Sequence, residues 1–178
     1  INMAAAEAVL DIIRSTGQKP EAVHYASLIH AKGCVQNDIA GALAVFNSVT
    51  ADRSIRPQAC VYQALFEALV ANHRVAETEP FLRNMTAQRV EMTPYIANTL
   101  IHGWANEGDF VKAKAVFDVI GREKREPSTY EAMARAFLAA EDRPAAMAVV
   151  QEMLSRGYPN AVSGKILELV GGGHGEGA

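Results

Sequence analysis

Tyr95, Asn98 and His102 stand at i−3 and i+4 about the asparagine, inside the segment Thr93 to Ile120. On a helix that spacing forms a single stripe. It would present a ring for stacking, an amide that both donates and accepts, and an imidazole. Such an amide can meet the polar edge of an unstacked base, and stacking on an aromatic ring adds about 1–3 kcal/mol per base. The plainer reading is that Asn98 solvates a helix face while Tyr95 packs on a neighbouring element.

Positioning such a stripe is the task of a repeated unit. Leu28, Leu65, Leu100 and Met133 follow one another at 37, 35 and 33 residues. Phe46, Leu82, Phe117 and Val150 keep step at 36, 35 and 33, as do Val49, Met85, Ile120 and Met153. Within a unit, Leu100, Ile101 and Trp104 share the face of a first helix, which makes Trp104 core. Ala113, Val116, Phe117 and Ile120 fall at i, i+3, i+4, i+7 on a second. Gly108 can end the first helix in the left-handed conformation, and Asp109 can cap the second. Thr93 and Pro94 read as N-cap and first helical residue. Pro20, Pro57, Pro127 and Pro159 close the units, with Met92 in that place once.

The expected architecture is all-α, a right-handed α-solenoid of tandem helix-turn-helix repeats whose first helices line a concave surface. Small Ala42, Ala113, Ala115 and Ala146 suit close helix contacts. Residues 1–170 form one array: a partial repeat at 1–21 with a helix over Ile1 to Thr16, repeats at 22–58, 59–93, 94–128 and 129–160, and a last helix ending at Val170. The glycine-rich tail, residues 171–178, is expected to be disordered, with His174 inert. A chain of 178 residues suffices for this one domain.

Composition narrows the chemistry. Seventeen Lys and Arg stand against 20 Asp and Glu, and no third of the chain is basic, so no long-range positive field draws a polyanion. Cys34 and Cys60 have no C-x-x-C or zinc-ligand spacing and read as small buried or half-buried thiols in a reducing compartment. No metal or cofactor is implied: His24, His30 and His73 lack a ligand constellation. There is no G-x-S-x-G, phosphate-cradling glycine loop or Asp cluster, so the expectation is a non-enzyme. No apolar run of about 18 residues is present, so no membrane partner is expected. A start at Ile1 without a presequence reads as a fragment or processed form.

The segment "YIANTLIHGWANEGDFVKAKAVFDVIGREKREPS", Tyr95 to Ser128, resembles the pentatricopeptide repeat. So do "VHYASLIHAKG" with "AGALAVF", "VYQALFEAL" and "TYEAMARAFLAAEDRPAAMAVVQEM". The resemblance covers Ala6 to Asn160 and departs from the W-x-x-L-G-x-x-Y opening of tetratricopeptide repeats. It implies recognition of single-stranded RNA in mitochondria or plastids, about one base per repeat, in RNA maturation, stability or translation. It also implies base readers at Ala26, Gln63, Asn98 and Glu131, with partners Gln58, Thr93, Ser128 and Asn160 after the closing Pro slot. Asn98 with Ser128 resembles pyrimidine-preferring repeats.

The residues leave alternatives open. Ala26 cannot hydrogen-bond through its side chain, and Glu131 also fits a capping box, Ser128-Thr129-Tyr130-Glu131. The stripe elsewhere reads Val23, Ala26, His30, then Cys60, Gln63, Glu67, then Glu131 and Arg135, and its carboxylates would repel phosphate. Arg122, Lys124 and Arg125 form a solvated edge that could meet an RNA backbone. A neutral array with few good reader pairs also fits a protein-interaction scaffold, and an uncovered terminal hairpin could pair with a second copy of the chain.

Overall fold

A computed structural model describes residues 3–56 and 58–172. The expected helix over Ile1 to Thr16 is α1, Met3–Ser15, and Gly17 takes the left-handed φ of 77° behind it. The further α-helices are α2 Ala22–His30, α3 Ile39–Ala51, α4 Ala59–Ala71, α5 Thr78–Ala87, α6 Pro94–Asn106, α7 Phe110–Val119, α8 Pro127–Ala139, α9 Arg143–Ser155 and α10 Asn160–Gly171. Among the described residues there is no strand. The glycine tail assigned to disorder lies outside the described residues from 173 onward.

The chain forms two compact units, Ile1–Met92 and Thr93–Ala178. In the first, α2 packs on α3, α4 on α5, and α2 lies beside α4, with α1 against α2. In the second, α6 packs on α7, α8 on α9, and α6 beside α8, with α10 closing on α8 and α9. Each unit is thus two helical hairpins with their first helices side by side, plus one flanking helix.

The apolar columns are what holds these hairpins. Leu28, Leu65, Leu100 and Met133 are buried, as are Phe46, Phe117 and Val150, and Val49, Met85, Ile120 and Met153. Only Leu82 among them is half-buried. Each fully buried side chain of this size contributes about 1.5–3 kcal/mol, which no hairpin could obtain alone. Ala42, Ala113 and Ala146 are sealed between helices, whereas Ala115 faces solvent because it lies on the outer side of α7.

Caps set the helix starts. Asp38, Asp109 and Asp142 accept from the N–H groups of Gly41, Lys112 and Ala145 at 2.8, 3.0 and 3.0 Å, opening three of the second helices. Thr93 Oγ1 accepts from Ile96 N at 3.2 Å, as expected. At α8 the expectation is corrected. The cap is Glu126, whose N–H donates to Thr129 Oγ1 at 3.3 Å, two residues before Ser128. Pro127 has no N–H to satisfy and a preset φ, so it takes the first helical position and moves the cap ahead of it.

The first hairpin carries one surplus residue. The interval from His30 to Phe46 is one longer than from His102 to Phe117 or Arg135 to Val150. It is absorbed by a π-helical turn, Ala31–Val35, at the end of α2. Gly33 in that turn lets α2 and α4 approach closely: a Cβ there would stand 2.2 Å from the Ala68 Cβ. Asn72 Nδ2 donates to the Gly33 carbonyl at 2.9 Å and so ties the turn to α4.

Candidate nucleic-acid interface

In the second unit, α6 carries Tyr95, Asn98 and His102 along one exposed edge facing α8. Tyr95 is 56% exposed at the second helical position, where a ring can stack without opening the core. Asn98 is half-buried beside it. Its Nδ2 donates to Ser128 Oγ at 2.9 Å, joining residues from adjacent first helices. Its Oδ1 is sealed from solvent and has no hydrogen-bond partner among the described residues. Such an acceptor costs about 1–3 kcal/mol, so the amide is held in a position that its own fold does not satisfy.

His102 lies against α8 near Glu131 and Arg135. Burial lowers its basicity first and the Arg135 charge lowers it further, while Glu131 partly opposes both. The ring is therefore neutral at pH 7, with one donor and one acceptor. Arg135 Nε and Nη2 both donate to Glu131 Oε1, at 3.0 and 2.8 Å. This is a second correction: Glu131 does not close a capping box but pairs one turn along the helix. Its charge is countered inside the stripe, so it neither reads freely nor repels phosphate at full strength. Arg135 is correspondingly committed.

The first unit repeats the layout with other residues. Ala26 is buried in α2 and offers no side-chain polar atom. Gln63 is half-buried on α4 with its amide unpaired among the described residues. Gln58 is the exposed N-cap of α4, with Cys60 Sγ 3.9 Å from its Oε1. His30 Nδ1 stands 3.3 Å from Glu67 Oε2, linking α2 to α4 at the place where His102 meets Arg135. Cross-helix pairing at this column is a feature that sequence spacing placed on one stripe but could not join. Burial raises the thiols of both half-buried cysteines, as small packed side chains require.

Partner residues divide by position and by contact. By position at the cap, the counterpart of Gln58 and Thr93 is Glu126, not Ser128. By contact, the partner of Asn98 is Ser128, which occupies in α8 the place of Tyr95 in α6. Thr93 spends its acceptor on the helix start. Asn160 is the exposed first residue of α10, behind Pro159.

The basic edge is also revised. Arg125 turns inward and is only 8% exposed. Its guanidinium lies 3.8 Å above the Phe117 ring and donates to Phe117 O, to Ile120 O and, at 2.6 Å, to Glu152. Arg122 donates to Ser155 at 2.7 Å. Trp104 is buried as expected, with Lys112 Nζ 4.4 Å over its ring. Among the described residues, no His, Cys, Asp and Glu cluster could hold a metal, and no helix is long and apolar enough to cross a membrane.

The chain and its fold are similar to those of known proteins. Residues 2–120 match a family model described as "Pentatricopeptide repeat-containing protein". The chain is 33% identical over 176 residues to "Pentatricopeptide repeat-containing protein 5, mitochondrial" of Schizosaccharomyces pombe, covering 96% of this chain but 14% of that protein. Its fold is similar to that of the pentatricopeptide repeat protein PPR10 solved with an 18-nt psaJ RNA element, at a TM-score of 0.69 and 20% identity, over 93% of this chain and 23% of that one. PPR10 from maize gives a TM-score of 0.63 over the same shares. The chain thus spans a small part of the length of these relatives. With the all-α hairpin fold, the repeated columns and the family model in agreement over more than half of its residues, the chain belongs to the pentatricopeptide repeat family.

Proposed function

We propose that this chain is a binding module for single-stranded RNA, not a catalyst, and that α6 and α8 hold its best-formed base-reading site. The observation that carries this is Asn98: one amide hydrogen is shared with Ser128 of the next first helix, and its acceptor is left unpaired. A base that draws the amide outward gives that acceptor an N–H donor and recovers the cost of leaving it buried. The Ser128 hydroxyl then supplies a donor for the neighbouring acceptor on the base edge, and Tyr95 supplies the stack. The likeness of this pair to pyrimidine-preferring repeats makes cytosine or uracil the expected base.

Gln63 on α4 offers a second, neutral reader within the first unit. Ala26 contributes shape alone, and Glu131 and Arg135 hold each other. We also propose that the repeats over 1–170 belong to one array, on the strength of the apolar columns that recur through both units. The mitochondrial relative supports a mitochondrial location, and the family resemblance makes RNA maturation, stability or translation the process served.

Selection of bound RNA from a random pool tests the proposal. A pyrimidine should be enriched at one position, and the enrichment should disappear with Asn98→Ala. Absence of any enriched base together with undetectable binding at low salt would rule the RNA reading out.

A further inference from the structure

The turn joining α3 to α4 borders a cleft of about 740 Å³ within the first unit. Its walls come from three segments, among them Asp52, Arg53 and Arg56 of the turn, Tyr62 of α4, and Asn84 and Gln88 at the end of α5. The corresponding place in the second unit is filled by the protein itself. There Tyr130 Oη donates to Glu152 Oε1 at 3.0 Å, and the guanidinium of Arg125 covers both that carboxylate and the Phe117 ring.

The first unit keeps half of this arrangement. Tyr62 Oη donates to Asn84 Oδ1 at 2.8 Å, and the Phe46 ring meets Tyr62 edge-on at 5.3 Å, as Phe117 meets Tyr130 at 5.8 Å. The differences are in charge. An amide, Asn84, stands in place of the carboxylate of Glu152, so this wall position carries no charge. Arg53 and Arg56 at the rim have no ion-pair or hydrogen-bond partner among the described residues. Asp52 also lines the cleft; the Ser54 N–H and hydroxyl, at 2.9 and 2.6 Å, hold its carboxylate ionised, so the two guanidiniums leave the rim with one positive charge in excess.

We infer that this cleft is a phosphate-group site. Two guanidiniums bring a fork of donors each, and the Asn84 Nδ2 on α5 and the Gln88 amide just beyond it add neutral donors. Donors from three segments around one cleft suit a ligand with several acceptor oxygens and more than one negative charge. A single carboxylate would leave most of them unused. The phosphate can come from a polynucleotide backbone or from a free phosphate. The inference does not depend on base reading at Asn98, because it concerns the opposite part of a nucleotide and a different unit of the chain.

The test uses the full chain and probes without bases. An abasic oligonucleotide and, separately, inorganic phosphate are titrated while the backbone amide resonances of Ser54, Asn84 and Gln88 are followed. Both probes should shift these resonances if the source is any phosphate, and the oligonucleotide alone should do so if a backbone is needed. The double variant Arg53→Gln, Arg56→Gln changes two exposed side chains and should abolish the shifts. From about 50 to 200 mM salt, the wild type should lose about sevenfold more affinity for the abasic strand than the variant, since each single-strand phosphate contact adds about 0.7 to the logarithmic slope. No shift with either probe, or shifts that persist in the variant, would overturn the site. So would a polyglutamate peptide moving these resonances where both phosphate probes fail. Loss of base selection in Asn98→Ala with the abasic result intact, or the reverse, separates the two readings.

Discussion

Replacing Asn98 with alanine should harm RNA binding while leaving the fold almost untouched, an unusual combination for a half-buried polar residue. The side chain gives one hydrogen bond to Ser128, at 2.9 Å on the exposed side of the α6 and α8 pair. Its loss costs about 0.5–1.5 kcal/mol. The same substitution removes the sealed, unpartnered Oδ1, which recovers about 1–3 kcal/mol of desolvation. Lost packing of a half-buried Cγ offsets part of that gain. The net change should therefore lie within about 1 kcal/mol of zero, read as an unchanged urea midpoint and slope. RNA affinity should fall by about 1–3 kcal/mol, the worth of one base-edge pair, or roughly five- to 150-fold for an oligonucleotide carrying the selected pyrimidine. Against RNA carrying the wrong base at that position the variant should show little loss. A stability loss above about 2 kcal/mol would mean that the amide serves the fold, and unchanged discrimination between bases would mean that it reads nothing.

Three further outcomes follow from the geometry. Gly33→Ala should destabilise the first unit by about 1–3 kcal/mol in chemical denaturation, because its Cβ would sit 2.2 Å from the Ala68 Cβ and neither side can retract. Arg125→Met should cost about 3 kcal/mol, since it strips the carbonyls of Phe117 and Ile120 of their donor and leaves Glu152 with Tyr130 and the longer 3.9 Å contact to Arg122; a loss below about 1 kcal/mol would show that the guanidinium does not hold this turn. For His102 the folded-state pKa lies below the ordinary 6.5, so the unfolded chain binds the proton more readily and stability should decline as pH falls through that value. Urea midpoints at about pH 7.5 and 5.5 should reveal this slope, and His102→Gln should flatten it, whereas an identical slope in the variant would assign it elsewhere.

Much of the fold was legible because the information is local and periodic. The hairpins, the Asp109 and Thr93 caps, the left-handed Gly108 at φ 76° and the burial of Trp104 all follow from spacing within one unit. Less legible were the turns that Asn37, His73, Arg89 and Glu141 close with positive φ, between 55° and 58°. Asn37 and His73 are residue types enriched in that conformation, but Arg89 and Glu141 do not announce it as glycine does. The π-helical turn could be counted as a surplus residue but not located, because a turn or a helix can absorb it.

The candidate site divides in the same way. Periodicity along α6 is enough to align Tyr95, Asn98 and His102, since the stripe is a property of one helix. Whether Asn98 reaches Ser128, His30 meets Glu67, Glu131 is claimed by Arg135, or Arg125 leaves the edge for the interior depends on how neighbouring elements dock. Sequence by itself determined the repeat, its helices and the faces they bury, because helix periodicity and hydrophobic burial act over a few residues. The pairing of charges and amides between helices was decided by the tertiary structure, because contacts of about 3 Å between residues some 30 positions apart are fixed only when packing sets the register of one helix against the next.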